Sequence, residues 1–252
     1  MTLGLAGKSV LVTGASRGLG EGIALAFANA GARVHILADD DQVMAVAERI
    51  GATGHIADIT DERAIARVFG ALPSLDVLIN NAGFEKMTPL DDNSPTALAL
   101  FRRIIDVNIV GTTIVTQAAV PKMSEGGRII NTSSIWGRVG EPLFGAYVCS
   151  KHAIIGLTKS WAKELGPRGI RVNAVCPGWV RTEASLRSAS MIAARLGRTE
   201  ASVVESVEAA QAIPGGLMLP ADITGAYLYL ASDWAINVTG QSVGIDRGEV
   251  PW

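Results

Sequence analysis

The chain has 252 residues, 48% hydrophobic and 18% charged, which is length enough for a large buried core and too ordinary a balance for a disordered, coiled-coil or fibrous protein. A formal charge of −2, with no Lys/Arg block longer than Arg102-Arg103, leaves no electrostatic footprint for nucleic acid. No run of 18 apolar residues occurs and Met1 to Lys8 lacks the basic and apolar parts of a leader, so a soluble, cytoplasmic protein with no membrane partner is expected.

In chain order, β-branched runs predict strands over residues 9–13, 33–37, 55–58, 77–80, 128–132, 172–175 and 242–245, with helical patterns between them. Val10-Leu11-Val12 and Ile129-Ile130 are apolar on consecutive positions, as strands covered on both faces require, so the sheet should be parallel. The expectation is one α/β domain over 1–252, a Rossmann-type, doubly wound parallel sheet of about seven strands. The 28 glycines imply many tight turns. Residues 182–220 hold helical patches (183–196 and 200–212) and then Pro214-Gly215-Gly216. Hanging after the sixth strand, beyond the carboxyl ends where open sheets bind ligands, they read as a substrate lid. Cys149 and Cys176 sit in apolar periodic stretches and are expected as packed, reduced thiols. His35, His55 and His152 share no ligand spacing, so no metal site is expected and each reads as a packed or surface residue.

The first strand runs into Thr13-Gly14-Ala15-Ser16-Arg17-Gly18-Leu19-Gly20, followed by a helical stretch over 21–30. Glycines between strand and helix let a backbone approach a pyrophosphate and turn helix amides toward it. Asp39 lies 19 residues past Gly20, the place for an acid that accepts both adenosine ribose hydroxyls and so favours NAD. With Asp40 and Asp41 it also reads as a solvated helix start. Arg17 argues for NADP if it reaches a 2′-phosphate; otherwise it is an exposed loop arginine, pointing to solvent or paired with Asp39.

Tyr147 and Lys151, four apart, share one face of a helix. A free tyrosine, with a pKa of about 10, is roughly one part in a thousand phenolate at pH 7. An ammonium and a nicotinamide cation nearby would favour the phenolate.

Taken in order, Thr13-Gly14-x-x-x-Gly18-x-Gly20, Asn80-Asn81-Ala82-Gly83, Asn108, Ser134, Tyr147 with Lys151, and Pro177-Gly178 resemble the short-chain dehydrogenase/reductase family over essentially the whole chain. Ser134 rather than Ser133 stands 13 residues before the tyrosine, the family's interval. The resemblance implies Tyr147 as general acid/base, Ser134 as the hydrogen-bond donor to substrate oxygen, and Lys151 on the nicotinamide ribose. It implies Asn108 as the residue holding a water that links Lys151 to solvent. Gly14, Ser16, Arg17, Gly18, Leu19 and Gly20 would cradle the dinucleotide, with Asp39 on the ribose. Asp58, closing the third strand, would meet adenine beside Ile59, or instead cap the helix near Asp61. Asn81 and Gly83 would sit by the adenosine ribose, and Pro177, Gly178, Val180 and Thr182 by the carboxamide and pyrophosphate. Two positions depart from the family pattern: Ala38 stands where many NAD-using members carry their acid, and Arg247 where the usual ending has glycine.

The leading expectation is an oxidoreductase that prefers NAD over NADP and interconverts a small secondary alcohol and its ketone. An NADPH-dependent 3-oxoacyl thioester reductase and a non-catalytic dinucleotide-binding sensor are the alternatives. Arg138, Glu141, Trp136, Trp179 and Arg187 are expected near the pocket, hinting at a polar, polyhydroxylated or acidic substrate, unless they are generic rim polarity. The resemblance also implies a homotetramer paired through helices over 98–123 and 146–165, where Ile154, Ile155, Leu157 and Trp161 read as surplus apolar surface.

Overall fold

Strands that are apolar on consecutive positions need cover on both faces, and seven find it here: β1 (Ser9–Thr13), β2 (Arg33–Ala38), β3 (Thr53–Ile56), β4 (Val77–Asn80), β5 (Arg128–Thr132), β6 (Arg171–Pro177) and β7 (Ser242–Ile245). The cover comes from α1 (Gly18–Asn29), α2 (Gln42–Ile50), α3 (Glu62–Ala71), α4 (Ala97–Ile105), α5 (Thr112–Ala119), α6 (Gly145–Leu165) and α9 (Pro220–Ala231), while α7 (Glu183–Leu196) and α8 (Glu200–Ala210) form an insert. The computed structural model describes residues 3–251, so residues 1, 2 and 252 of the expected domain lie outside the described residues.

All strand pairs are parallel, in the order β3-β2-β1-β4-β5-β6-β7. Alternation along each strand divides the core in two. Val10, Val12, Ile36 and Ile79 pack with Ile23 and Phe27 of α1 and Tyr227 of α9. Leu11, Leu37, Leu78 and Ile129 pack on the opposite face with Ile65 and Phe69 of α3, Val115 of α5 and Leu165 of α6. This is the doubly wound α/β sheet expected from the pattern.

Several boundaries differ from expectation. α1 starts at Gly18, three residues early, because the loop glycines form its first turn. β3 ends at Ile56, so Asp58 follows the strand instead of closing it. The helical run over 98–123 is continuous but mixed: α4 passes through a π-helical segment, Asp106–Gly111, into α5 and a 3₁₀ turn, Val120–Lys122. Gly111 permits this where the helix crosses the β3–α3 loop, since a Cβ there would lie 2.7 Å from Ile59 Cγ1.

The insert carries its own apolar cluster. Ala189, Ile192 and Ala193 of α7 and Val203 of α8 pack on Ile135, Trp136, Phe144 and Trp179. Ile154 and Ile155 are buried within the protomer, which corrects their expected place on an external face; the exposed apolar residues of the α4 run are Leu98, Phe101 and Val110. Cys176 is buried and Cys149 exposed, both as free thiols, so only Cys176 matches the expected packed cysteine. Among the described residues no helix is long and apolar enough to cross a membrane.

Candidate active site

β1 and β4 are neighbours whose connections leave in opposite directions, and beyond their carboxyl ends lies a cleft of about 730 Å³. Its lining includes Gly14, Ser16, Arg17, Gly18, Leu19 and Gly20 from the first loop. Gly14 and Gly18 have φ of +64° and +60°, the left-handed region that glycine adopts without strain. A Cβ on Gly20 would lie 2.1 Å from the Gly14 carbonyl oxygen, and one on Gly14 would lie 2.6 Å from Ala82 Cα. The first turn of α1 therefore sits directly on the cleft with its unpaired amides, a cradle that fits a dinucleotide pyrophosphate. Asn81 also lines the cleft, but its amide donates to the Thr13 and Gly14 carbonyls at 3.1 Å each, tying the β4 loop to the glycine loop. Thr13 completes the tie, its hydroxyl accepting from the Asn81 and Ala82 amides.

At the end of β2, Asp39 is exposed, lines the cleft and has no hydrogen bond or ion pair with the other described residues. Arg17 does not pair with it. The guanidinium lies 3.2 Å from Asp40 and donates to Gln42, and Ser16 donates to the same Asp40 oxygen, so Asp40 is the counterion. Asp58 lines the cleft beside Ile59 and accepts from the Thr60 amide and hydroxyl and from Arg103. Burial pushes its carboxyl up, yet those donors outweigh it and hold the group below the usual carboxylate range. The capping alternative for Asp58 is excluded, because Asp61 caps α3 by accepting from the Arg63 and Ala64 amides. His35 and His55, expected as bland residues, meet across β2 and β3 with ring nitrogens 3.3 Å apart. Among the described residues no group of three or more His, Cys, Asp or Glu is placed to hold a metal.

Opposite the glycine loop, Ser134, Tyr147 and Lys151 line the cleft together. Lys151 is buried, its ammonium 5.3 Å from the Tyr147 ring centroid and bonded to the Thr132 carbonyl at 2.9 Å. Ser134 lowers the pKa of the phenol beside it, while its neighbour Ser133 donates to the Lys151 carbonyl at 2.8 Å and so fixes the helix. Two adjacent serines thus have separate tasks.

The acidities run against the expectation of a lysine-stabilised phenolate. Burial first, and then the Glu85 carboxylate, push the Tyr147 phenol well above its ordinary value, against the lowering effect of Ser134. Burial pulls Lys151 down to about 8. The phenol is therefore held protonated, as a proton donor.

Asn108 does not line the cleft. From the π-helical segment its side chain accepts from the Phe84 amide at 2.7 Å and donates to the Phe84 carbonyl and to Ser150. A Cβ on Gly83 would lie 3.4 Å from Asn108 Oδ1 and 3.5 Å from Lys151 Nζ, so Asn108, Gly83 and Lys151 meet at one point. A buried polar ladder that the sequence reading missed runs beside them. Asn80 donates to Thr116 and Asn131, and Asn131 donates to Thr158 of α6. It registers α5 and α6 on the sheet.

Pro177, Gly178, Val180 and Thr182 line the remaining wall with Trp136, Trp179 and Arg187. Thr182 caps α7 and faces Gly18. Arg138 and Glu141, expected at the pocket, are not part of its lining: Arg138 turns under β7 to donate to the Ser242 carbonyl. In their place stand Glu85 and Ser188, bonded to each other. Glu85 follows a loop motif without any local pattern that marks it, and its partner lies 103 residues away. Arg247 adopts φ +54°, the conformation a glycine would have there. Its guanidinium reaches the Gly216 carbonyl and Gln211, joining the C-terminal segment to the insert.

The sequence profile described as enoyl-(acyl carrier protein) reductase matches residues 14–249. Oxidoreductase UcpA of Salmonella typhimurium is 39% identical over 257 residues, spanning 97% of this chain and 95% of UcpA. The 3-oxoacyl-[acyl-carrier-protein] reductase FabG of Thermotoga maritima is 35% identical, over 98% and 99% of the two chains. The ligand-free aldohexose dehydrogenase of Thermoplasma acidophilum superposes with a TM-score of 0.85 at 31% identity, over 97% of this chain and 94% of that one.

Proposed function

The chain belongs to the short-chain dehydrogenase/reductase family of oxidoreductases, and we propose that it interconverts a small secondary alcohol and its ketone with a nicotinamide dinucleotide, NAD in preference to NADP. The observation that carries this reading is the convergence of Ser134, Tyr147 and Lys151 on one end of a cleft whose other end is the glycine loop. When bound, the nicotinamide would supply the hydride acceptor or donor. Tyr147, held protonated, gives its phenolic proton to a carbonyl oxygen as that oxygen becomes an alkoxide, and takes it back in the reverse direction. Ser134 steadies the same oxygen with a hydrogen bond. Lys151 grips the nicotinamide ribose from the helix that also carries Tyr147. Asn108 acts as a positioning residue, holding the Phe84 backbone and Gly83 against Lys151.

Asp39 is assigned to the adenosine ribose hydroxyls, because it faces the cleft without a competing partner. Asp58 and Ile59 are assigned to the adenine. Arg17, engaged by Asp40, is not poised for a 2′-phosphate, which supports NAD. Residues 182–220 serve as the substrate lid, and a homotetramer paired through the α4–α5 run and α6 covers Leu98, Phe101 and Val110. A second reading, an NADPH-dependent 3-oxoacyl thioester reductase, is favoured by the likeness to FabG.

The test is Tyr147→Phe, which keeps the ring and removes the proton. Turnover of secondary alcohols and ketones, followed by nicotinamide absorbance, should fall 10²–10⁴-fold while dinucleotide binding survives. Activity within about tenfold of wild type overturns the assignment.

A further inference from the structure

Among the described carboxylates that line the cleft, Glu85 is the one that acts on both Tyr147 and Lys151. It shares the cleft lining with Ser134, Tyr147 and Lys151. Its position is held from both sides. The preceding residue, Phe84, has its amide and carbonyl bonded to Asn108, and three residues on, Thr88 bonds the Leu143 carbonyl and accepts from the Ala146 amide beside Tyr147. One carboxylate oxygen accepts from Ser188 on α7, and the other has no hydrogen-bond partner among the described residues. Burial pushes the Glu85 carboxyl up from its ordinary value, against the lowering effects of Ser188 and of the Lys151, Arg187 and Lys86 charges.

A carboxylate is an acceptor with several lone pairs, and in a desolvated cleft it asks for donors. An acidic substrate would bring like charge against it, and Arg187, the nearest guanidinium of α7, is already engaged by Glu183 at 2.9 Å. An alkyl ketone would leave the free oxygen unpaired under its own hydrocarbon. A neighbouring hydroxyl satisfies it. Trp136 and Trp179, packed edge to face across 5.8 Å, line the same end and offer aromatic surface to the C–H faces that a polyol also carries.

We propose that Glu85, oriented by Ser188, accepts a hydrogen bond from a substrate hydroxyl next to the reacting carbon, so that the enzyme selects neutral polyhydroxylated substrates, vicinal diols and α-hydroxy ketones, over simple alcohols and over anions. This narrows the substrate class of the oxidoreductase reading and rests on it. It also assigns Ser188 a purpose, since the lid helix then reads the substrate through the same carboxylate.

The probes are cis- and trans-cyclohexane-1,2-diol against cyclohexanol, which differ by the one hydroxyl in question. Wild type should favour the better diol by tenfold or more in kcat/KM, because a site built to bond a hydroxyl rejects the analogue lacking it. In Glu85→Ala the diol-to-cyclohexanol ratio should collapse toward one, and in Glu85→Gln, which keeps a carbonyl acceptor and the same size, it should fall part of the way. A ratio that survives Glu85→Ala overturns the proposal. Tryptophan fluorescence titrations with the same probes read binding independently of turnover: wild type should bind the diol more tightly, and equal binding overturns the proposal as well. The broader reading fails differently, through Tyr147→Phe retaining turnover or through wild type turning over none of the probes, and in that case the titration still decides the role of Glu85.

Discussion

The two walls of the cleft are built by different means. The wall around the glycine loop is backbone against backbone: Gly20 touches the Gly14 carbonyl, Ala82 closes on Gly14, and the Asn81 amide bonds main-chain oxygens. The wall formed by the insert is held by an apolar cluster and by single side-chain contacts that reach across the chain, among them Glu85 to Ser188, Asp91 to Arg195, and Arg247 to the Gly216 carbonyl. A backbone wall admits few substitutions, whereas a wall of side-chain contacts can be recut one residue at a time. One family can therefore keep a cofactor and change its substrate.

Substitutions at three positions test that contrast, and the largest effect belongs to the backbone wall. Gly20→Ala places a methyl 2.1 Å from a carbonyl oxygen that cannot swing aside. Overpacking of this kind costs about 1–3 kcal/mol. Expressed in binding, that is up to about a hundredfold weaker dinucleotide affinity by fluorescence titration, and an unchanged Kd would show that the loop yields more readily than its contacts imply. Asp39→Ala comes next. On the proposed assignment, removing the acid deletes both the ribose hydrogen bonds and the repulsion of a 2′-phosphate, so the proposed preference for NAD over NADP in kcat/KM should shrink about tenfold, at ~1.4 kcal/mol per decade. If wild type already favours NADP, the ribose assignment fails. The smallest effect is expected in the insert wall. Arg247→Ala should raise the KM for substrate several-fold with kcat nearly kept, and should open residues 211–219 to limited proteolysis. Arg247→Gly should show the same KM with ~1 kcal/mol more stability than the alanine variant, because glycine suits φ +54°. Equal stability of the two would mean that the backbone there carries no strain.

The same contrast explains what could be read from the chain alone. The strands, the glycine loop, and the Tyr147 and Lys151 pair were legible because each rests on residues close in sequence, a run, a turn or one helical step, and the place of Asp39 on the cleft through its interval from Gly20. Ser134 was separable from Ser133 only through a spacing. The Asp40 partner of Arg17, the meeting of His35 with His55, and the ladder from Asn80 through Asn131 to Thr158 all join residues 20 or more positions apart, and no local pattern encodes them. Arg138 and Glu141 failed as pocket residues for a related reason. Their place in the chain, just after Ser134, is near the site, but the 3₁₀ turn over Ile135–Gly137 carries Arg138 under β7. Glu85, by the same logic, is visible only once α7 has folded back to put Ser188 against it.

The π-helical segment at Asp106–Gly111 makes chain length itself a functional variable. A π turn accommodates one residue more than an α turn over the same rise. Deleting one residue from it would restore the ordinary ladder with the flanking turns still in register, and would re-space the side chains within the segment itself. Asn108 would then leave the Phe84 backbone, while Val115 and Ala119 of the following helix would keep their places in the core. The loop over residues 90–94 faces a weaker rule: it is exposed throughout, Leu90 packs on nothing, and its tie to the insert is the exposed Asp91–Arg195 pair. Insertions and deletions in descendants of this chain should accumulate in that loop and stop short of the segment that carries Asn108.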